Sequence, residues 1–457
     1  MTTQVRAPVP EPLDRATIRV GMILVAGAFV ALLDGTVVSV AVHTLAGVFS
    51  VGVADAQWVT TAYLLALAAV IPVTGWAARR FGASRAWTVS LGVMLVGSVL
   101  CGLAWSFGSL VAFRVVQGLG AGGLFPLSRI IVMEVAGRER LGRMMAMMAL
   151  PALAAPLLGP AVGGVVVEAL SWRWVFLLNA PLLLAAIVLT LVFVPVSPRA
   201  AAERLDVPGL LCVSGGLTLL VYGLSGTGQR AAALVAGLVL LAAYGLREAR
   251  SPRPGIVDLG LFRDRAFAAS AAVGLLVNLT LFAGAFLVPL FFQQGAGRGA
   301  LDAGLILVPQ GLGMLVATLF AGRLIDAGPR ARTMVLAGLA LTAVGTVPFA
   351  LVEPGSHVPL GVAALFVRGV GLALAGSPIM KTLYHSLPAA KVPAATTANA
   401  VAQQLGGALG TAAVAAALQP FGFHAAFWLV LALLAVTAAG ALLLPERRPG
   451  AVSAPGR

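Results

Sequence analysis

The chain has 457 residues, of which 60% are hydrophobic and only 10% charged, and its formal net charge is +14. Soluble domains usually hold about 25% charged residues, so a water-exposed globule is excluded and the bilayer is the expected solvent. The basic residues are scattered among loops between apolar runs, which argues against a nucleic-acid surface and for membrane orientation.

The first 19 residues, MTTQVRAPVPEPLDRATIR, are polar and are expected to form a cytoplasmic tail without a cleavable leader. A crossing needs about 20 mostly apolar residues and must be helical, because lipid offers a free backbone amide no partner. Such spans are expected near 20–42, 56–78, 86–106, 109–130, 143–167 and 174–196, forming a first six-helix bundle over 20–196. Two extra spans near 207–226 and 231–247 fall within 197–250, and a cytoplasmic linker occupies 251–265. Six more, near 266–291, 302–322, 333–352, 358–380, 393–418 and 425–444, make a second bundle over 266–444, followed by a cytoplasmic tail at 445–457. The expected fold is therefore an all-α membrane protein of fourteen helices.

Alternate loops and the span ends beside them carry the basic residues. Arg79, Arg80, Arg85, Arg138, Arg140 and Arg143 do so in the first half, and Arg323, Arg330, Arg332, Lys381 and Lys391 in the second. The opposite loops hold only Arg173, Arg230 and Arg298. This asymmetry places both termini in the cytoplasm. The near absence of Lys beside abundant Arg, Ala and Gly fits the codon bias of a GC-rich bacterium, and the expected location is a bacterial plasma membrane.

The two halves share a pattern. GWAARRFGASR, residues 75–85, and GRLIDAGPRAR, residues 322–332, fall at the same point of each bundle, and FRVVQGLGAGG in the fourth span is matched by FVRGVGLALAG. Internal repeats of this kind mark secondary transporters, with the substrate site between the halves near the midplane.

LLDGTVVSVAV, QWVTTAYLL, GWAARRFGASR, RVVQGLGAGG, APLLGPAVGG and SWRWVFLLNAP occur in this order. In these motifs the chain resembles the major facilitator superfamily, and within it the fourteen-helix drug/proton antiporter branch, over nearly its whole length. The resemblance implies two six-helix bundles with two extra central helices, and proton-coupled export. It also implies conformational roles for Gly75, Arg79, Arg80, Gly82 and Arg85 in the first loop motif and for Gly322 and Asp326 in the second. Arg79 departs from the pattern, since the family usually has Asp there to face a helix N-terminus, and an Arg would repel that end. Ser39 and His43 stand where the branch usually has Asn and Pro.

Asp34 is the only charge in the first span. A carboxylate at bilayer depth is expensive and usually functional. It could exchange a proton, or balance a cationic cargo, if alternating access brings it to water; the alternative is a neutral acid bonded to a neighbouring helix. A structure that shows this side chain turned to lipid headgroups, or sealed off from any water-accessible chamber, would defeat the coupling role. Arg114 cannot discharge and needs a partner; the resemblance implies a place beside the proton route, the alternative being a side chain that snorkels to the interface. Arg368 is its counterpart in the second half. Gln117, Asn278, Gln310, Asn399, Gln403 and Gln404 are candidate cavity groups or interhelical hydrogen bonds.

Gly118, Gly120, Gly122 and Gly123 leave a strip without side chains, as do Gly159, Pro160, Gly163 and Gly164, with Gly406 and Gly410 late in the chain. Such faces let helices approach closely, either to rock and reseal or as fixed packing. Glu134, Arg138, Glu139 and Arg140 are expected to form ion pairs in the loop after the fourth span.

No phosphate-cradling motif, metal-ligand spacing or nucleophile elbow is present. No cofactor, metal or enzymatic activity is expected. The expected partners are a small-molecule cargo, protons and lipid, with no nucleic acid; a monomer suffices, and the oligomeric state is open. The favoured function is proton-coupled export of amphipathic compounds such as drugs or antibiotics. The alternatives are a lipid or metabolite exporter of the same fold, and a membrane sensor or scaffold that does not transport.

Overall fold

The computed structural model describes residues 14–199, 205–224, 230–251, 255–297, 305–326, 331–353, 358–385 and 391–444. Among them every regular element is a helix. Helix α1 spans Arg15–Phe49 and starts at Asp14, whose carboxylate accepts the Thr17 amide at 3.3 Å. The second expected span is broken into α2 (Trp58–Val70) and α3 (Val73–Phe81), bent by 54°. Pro72 lies at the bend, and its missing N–H interrupts the helical ladder. Gly82, at φ 88°, takes the left-handed turn into α4 (Ala83–Gly102), and Ser106 and Ser109 form a capping box at the start of α5 (Phe107–Ala169).

Helix α5 covers two expected spans and the expected loop between them. Straight, its 63 residues would reach about 95 Å, three times a hydrocarbon core of about 30 Å. It folds back instead: Arg114 bonds Asp34, and Gly159, 45 residues later, lies against Thr36, so both contacts fall at one level of α1. After a short helical turn come α6 (Asn179–Phe193), α7 (Val207–Leu224) and α8 (Arg230–Arg250). The second half comprises α9 (Arg265–Leu290), α10 (Val308–Asp326), α11 (Ala331–Leu351), α12 (Val358–His385) and α13 (Val392–Ala441). Helix α13 is again two expected spans, kinked at Gly422 with φ 76°.

Ten described helices are long and apolar enough to cross a bilayer, and the bent α2–α3 pair makes eleven. The expected fourteen is not reached among the described residues. Helix α7 is short for a crossing, the span expected at 143–167 falls largely where side chains are not described, and that expected at 302–322 is described only in part.

Apolar packing divides the molecule. One cluster joins the halves at the end that carries the N-terminus: Ile23, Leu24, Ile71, Ala78, Leu127 and Ile131 meet Phe267, Val392, Ala395 and Val401. The other clusters stay within one half each, one built on Leu33, Val38, Leu110 and Phe176, the other on Leu287, Phe291, Phe349 and Phe427. At the common seam Gly75 lies against Thr397 and the Pro393 carbonyl, and Arg129 donates to Gln403 Oε1 at 3.2 Å. The seam is closed at the N-terminal end.

The two extra helices are tied to the first half. Ser214 donates to the Ala69 carbonyl at 2.6 Å, and Trp58 and Tyr222 pair with ring centroids 5.9 Å apart. Helix α7 packs against both α2 and α13. Tyr244 exchanges hydrogen bonds with Val257 at 2.7 and 2.9 Å, docking the linker on α8. Arg247 grips Asp206 through two bonds of 2.8 Å each.

Two outcomes follow from this packing. A side chain at Gly75 must displace Thr397, which is fully buried. In a background lacking Cys101 and Cys212, Gly75→Val should speed maleimide labelling of Thr397→Cys several-fold relative to Gly75; equal rates would mean that the seam does not depend on this contact. At Asp206, burial raises the carboxyl pKa, but the bonds from Arg247 and the Gly209 amide outweigh it and hold the acid below its usual value. A depressed carboxyl adds stability above its unfolded pKa of about 3.9 and loses it as the pH falls through the folded value. Arg247→Ala should therefore lower the melting temperature slightly at pH 7, and the difference should vanish as the pH falls through the depressed folded value, with salt weakening it.

Candidate functional site

Asp34 belongs to the buried stripe of α1. Val30, Ala31, Leu33, Val37, Val38 and Ala41 are buried around it, at the spacing of one helical face. Arg114 sits likewise on α5 with Leu110, Gln117, Ala121 and Leu124. Glycines bring these faces together. A Cβ at Gly118 would strike the Tyr63 carbonyl, and one at Gly122 the backbone at Leu67, so α5 lies directly on α2. Gly159 and Gly163 lie against Thr36 and Val37, which sets the returning part of α5 on α1.

The stripes converge on a charge pair. Arg114 Nη1 donates to Asp34 Oδ2 at 2.6 Å, and both residues are sealed, with relative exposures of 0% and 1%. The other carboxylate oxygen, Oδ1, accepts from Gln117 Nε2 at 2.9 Å and from Asn179 Nδ2 at 2.7 Å. Both amides also reach Ser98 Oγ, at 2.7 and 3.4 Å. Arg114 Nε donates to the Val59 carbonyl at 2.9 Å, and Nη1 also reaches Gln117 Oε1 at 2.6 Å. The guanidinium lies 4.2 Å from the Tyr63 ring centroid and 5.6 Å from that of Phe176, near enough for cation–π attraction. Tyr63 is fixed in turn by its hydroxyl, which donates to the Ala31 carbonyl at 3.1 Å.

Every side chain bonded to Asp34 donates to it, so this cradle suits the ionised carboxylate. The opposite charges and the hydrogen bonds offset desolvation of the pair. Arg114 does not snorkel, and Asp34 faces neither lipid headgroups nor water in this conformation. The sealed condition set against a coupling role is thus met in this conformation, and the role requires a different arrangement of these helices that brings Asp34 to water.

The remaining sequence candidates are dispersed. Arg368 is buried in the second half, donating to Gln310 Oε1 at 2.7 Å and to the Thr280 carbonyl at 3.4 Å. Asn278 bonds the Gly274 carbonyl of its own helix at 2.8 Å, Asn399 is buried, and Gln403 lies at the seam. Of the polar candidates only Gln117 touches Asp34. Gly82 meets the Ser197 carbonyl, and Ser84 and Ser197 exchange backbone-to-hydroxyl bonds of 3.1 and 2.9 Å. Glu134 accepts from Ser197 Oγ at 2.5 Å; the expected partners Arg138, Glu139 and Arg140 lie outside the described side chains. Arg79 and Arg80 occupy the last turn of α3, where a cation is favoured by that helix's own dipole. Arg85 is exposed in the first turn of α4. The surroundings of Pro160, Gly164, Gly322 and Asp326 lie outside the described residues.

Ser98, Asn179 and Tyr63 are site members that sequence reading passed over. Asn179 falls inside SWRWVFLLNAP, and its polarity within an apolar run was the available signal. Breaking a buried ion pair by removing one partner costs about 3–5 kcal/mol, because the other charge is stranded. Arg114→Ala should therefore sharply lower the yield and melting temperature of detergent-solubilised protein. Adding Asp34→Asn should recover much of that loss, whereas no recovery would mean that the pair is not the source of the defect.

The family model of the Major Facilitator Superfamily matches residues 24–411 and 299–457. A multidrug resistance protein B homolog of Mycobacterium tuberculosis is 35% identical over 413 residues, covering 88% of this chain and 76% of that protein. A putative multidrug resistance protein MdtD of Serratia proteamaculans is 30% identical over 405 residues, covering 87% of this chain and 84% of its own length. Among solved structures, the human organic anion transporter MFSD10 superposes with a TM-score of 0.68 at 15% identity, covering 94% of this chain and all of that one. The proton:xylose symporter XylE gives 0.67 at 16% identity, with 94% and 96% covered. The helical architecture, the repeated halves and these likenesses agree: the chain belongs to the major facilitator superfamily and is a multi-pass membrane transporter rather than an enzyme.

Proposed function

We propose that the protein exports amphipathic organic compounds from a bacterial cytoplasm or inner leaflet in exchange for protons. In this reading it sits in the plasma membrane with both termini inside. The observation that carries the reading is the mid-span carboxylate of Asp34, paired with Arg114 and held by Gln117 and Asn179. A proton on Asp34 would cancel the charge that holds Arg114. Protonation and loosening of the α1–α5 contact are thus linked, and any helix motion that opens the cradle changes the proton affinity in return.

The closed seam at the N-terminal end fits a state sealed toward the cytoplasm. Rocking of α1–α6 against α9–α13 would part the seam, open the space between the halves to the cytoplasm and let cargo enter. The glycine faces of α5 allow the backbone contacts this requires. Cargo class is supported by the relatives named for multidrug resistance, at 30–35% identity. A lipid or metabolite exporter of the same fold is the second reading.

The test is uptake into inverted membrane vesicles under an imposed proton gradient. Wild type should accumulate ethidium or a comparable amphipathic dye against its gradient. Asp34→Asn should lose at least about tenfold of that accumulation, the scale of 1.4 kcal/mol in coupling, while still binding dye. If the amide variant pumps uphill as well as wild type, Asp34 does not couple transport to protons.

A further inference from the structure

The two halves repeat each other, and the repeat extends to the ion-pair site with one member missing. Asp34 stands nineteen residues beyond Arg15, the first residue of α1, and Gly284 stands nineteen beyond Arg265, the first residue of α9. Tyr63, which lies under the Arg114 guanidinium, is twelve residues before Gly75 of the first loop motif. Gln310, which bonds the Arg368 guanidinium, is twelve before Gly322 of the second. The spatial relation agrees with the register. Arg114 reaches the acid on α1, and a Cβ built on Gly284 would overlap the Arg368 guanidinium. The second half therefore keeps the arginine and lacks the acid, and the arginine fills the space a side chain would take.

No other carboxylate substitutes for it. Between Arg265 and Pro445 the acids are Asp302, Asp326 and Glu353; Asp302 lies outside the described residues, Asp326 ends α10 and Glu353 follows α11. In the first half Glu134 lies at the N-terminal-end seam, bonded to Ser197, and Glu248 sits in the last turn of α8, bonded to the Gly255 amide. His424 follows the Gly422 kink between the two arms of α13. Among the described residues the buried carboxylates are Asp34 and Glu248, and of these only Asp34 lies inside a span rather than at its end. The charged and titratable groups facing it are Arg114 and Tyr63, with Cys101 close by through Gln117.

We propose that the transporter exchanges a single proton per cargo molecule, because one half carries the proton site and the other a vacated copy of it. This rests on the exchange reading above and extends it to charge balance. One proton enters on Asp34 and leaves on the far side as one cargo molecule moves out. A monovalent cation is then exchanged with no net charge movement, and an uncharged cargo with one positive charge moving inward. The membrane potential therefore acts on uncharged cargo and not on monovalent cations.

The experiment uses the wild-type protein in proteoliposomes with the proton gradient and the potential imposed separately, the potential by a potassium gradient with valinomycin. The probes are ethidium, a monovalent cation, and chloramphenicol, which is uncharged. With one proton per cycle, ethidium accumulation should follow the proton gradient and change less than twofold with potential, after correction for leak in protein-free vesicles. Chloramphenicol accumulation should change about tenfold for each roughly 60 mV of imposed potential. Either probe decides the question alone. Carrier-dependent ethidium accumulation driven by potential, or a chloramphenicol response near one-hundredfold over the same interval, would mean a second proton, from His424, Glu134 or another group, and would overturn the proposal. If neither probe responds to the proton gradient, the exchange reading itself falls and takes this inference with it. That result differs from one in which the gradient drives transport at the wrong charge count.

Discussion

A charge pair in a medium that cannot solvate it organises the first half of this molecule. Asp34 and Arg114 are tolerable at that depth only because each satisfies the other and the amides of Gln117 and Asn179 complete the carboxylate's shell. Three helices are fixed by this requirement: α1 supplies the acid, α5 the guanidinium and one amide, and α6 the other amide. Helix α4 adds Ser98, which both amides reach, and α2 adds the Val59 carbonyl and the Tyr63 ring. Five helices of one bundle thus share a single polar centre within an otherwise apolar core.

The glycines are the steric side of the same arrangement. A short ion pair between helices needs close backbones, and α5 meets α2 where Gly118 and Gly122 present no side chain. The two halves contrast in this light. The second builds similar close packing around Arg368, with Gly345 and Gly371 at its contacts, but satisfies the guanidinium with an amide oxygen and a backbone carbonyl instead of a carboxylate. Its core holds a cluster of phenylalanines, in which Phe349 and Phe427 stack and Phe291 meets both edge-on.

Much of this was legible in the order of residues. The apolar runs, the repeated loop motifs and the isolated Asp34 and Arg114 stand out because charge inside a span is rare. The sequence did not say which polar groups meet. Gln117 and Gln403 look alike in a list, yet one reaches Asp34 and the other Arg129 at the seam, because tertiary crossing points and not local patterns decide. Ser98 and Asn179 were passed over for the same reason. Boundaries misled where helices run through a turn: the charged stretch after Arg129 reads as a loop and is helical within α5, while Pro72 breaks a run that reads as continuous.

The docking of the linker on α8 has a mechanical consequence. Ile256, Val257 and Leu261 are buried, and Val257 is clasped by Tyr244. Only three residues, Phe262 to Asp264, separate this dock from α9, and they are ordered themselves: Phe262 and Arg263 end a 3-10 turn and Asp264 caps α9. A leash that short makes α8 move with the start of α9, while Ser214 and Tyr222 tie α7 to α2, so the extra helices bridge whatever motion parts the seam.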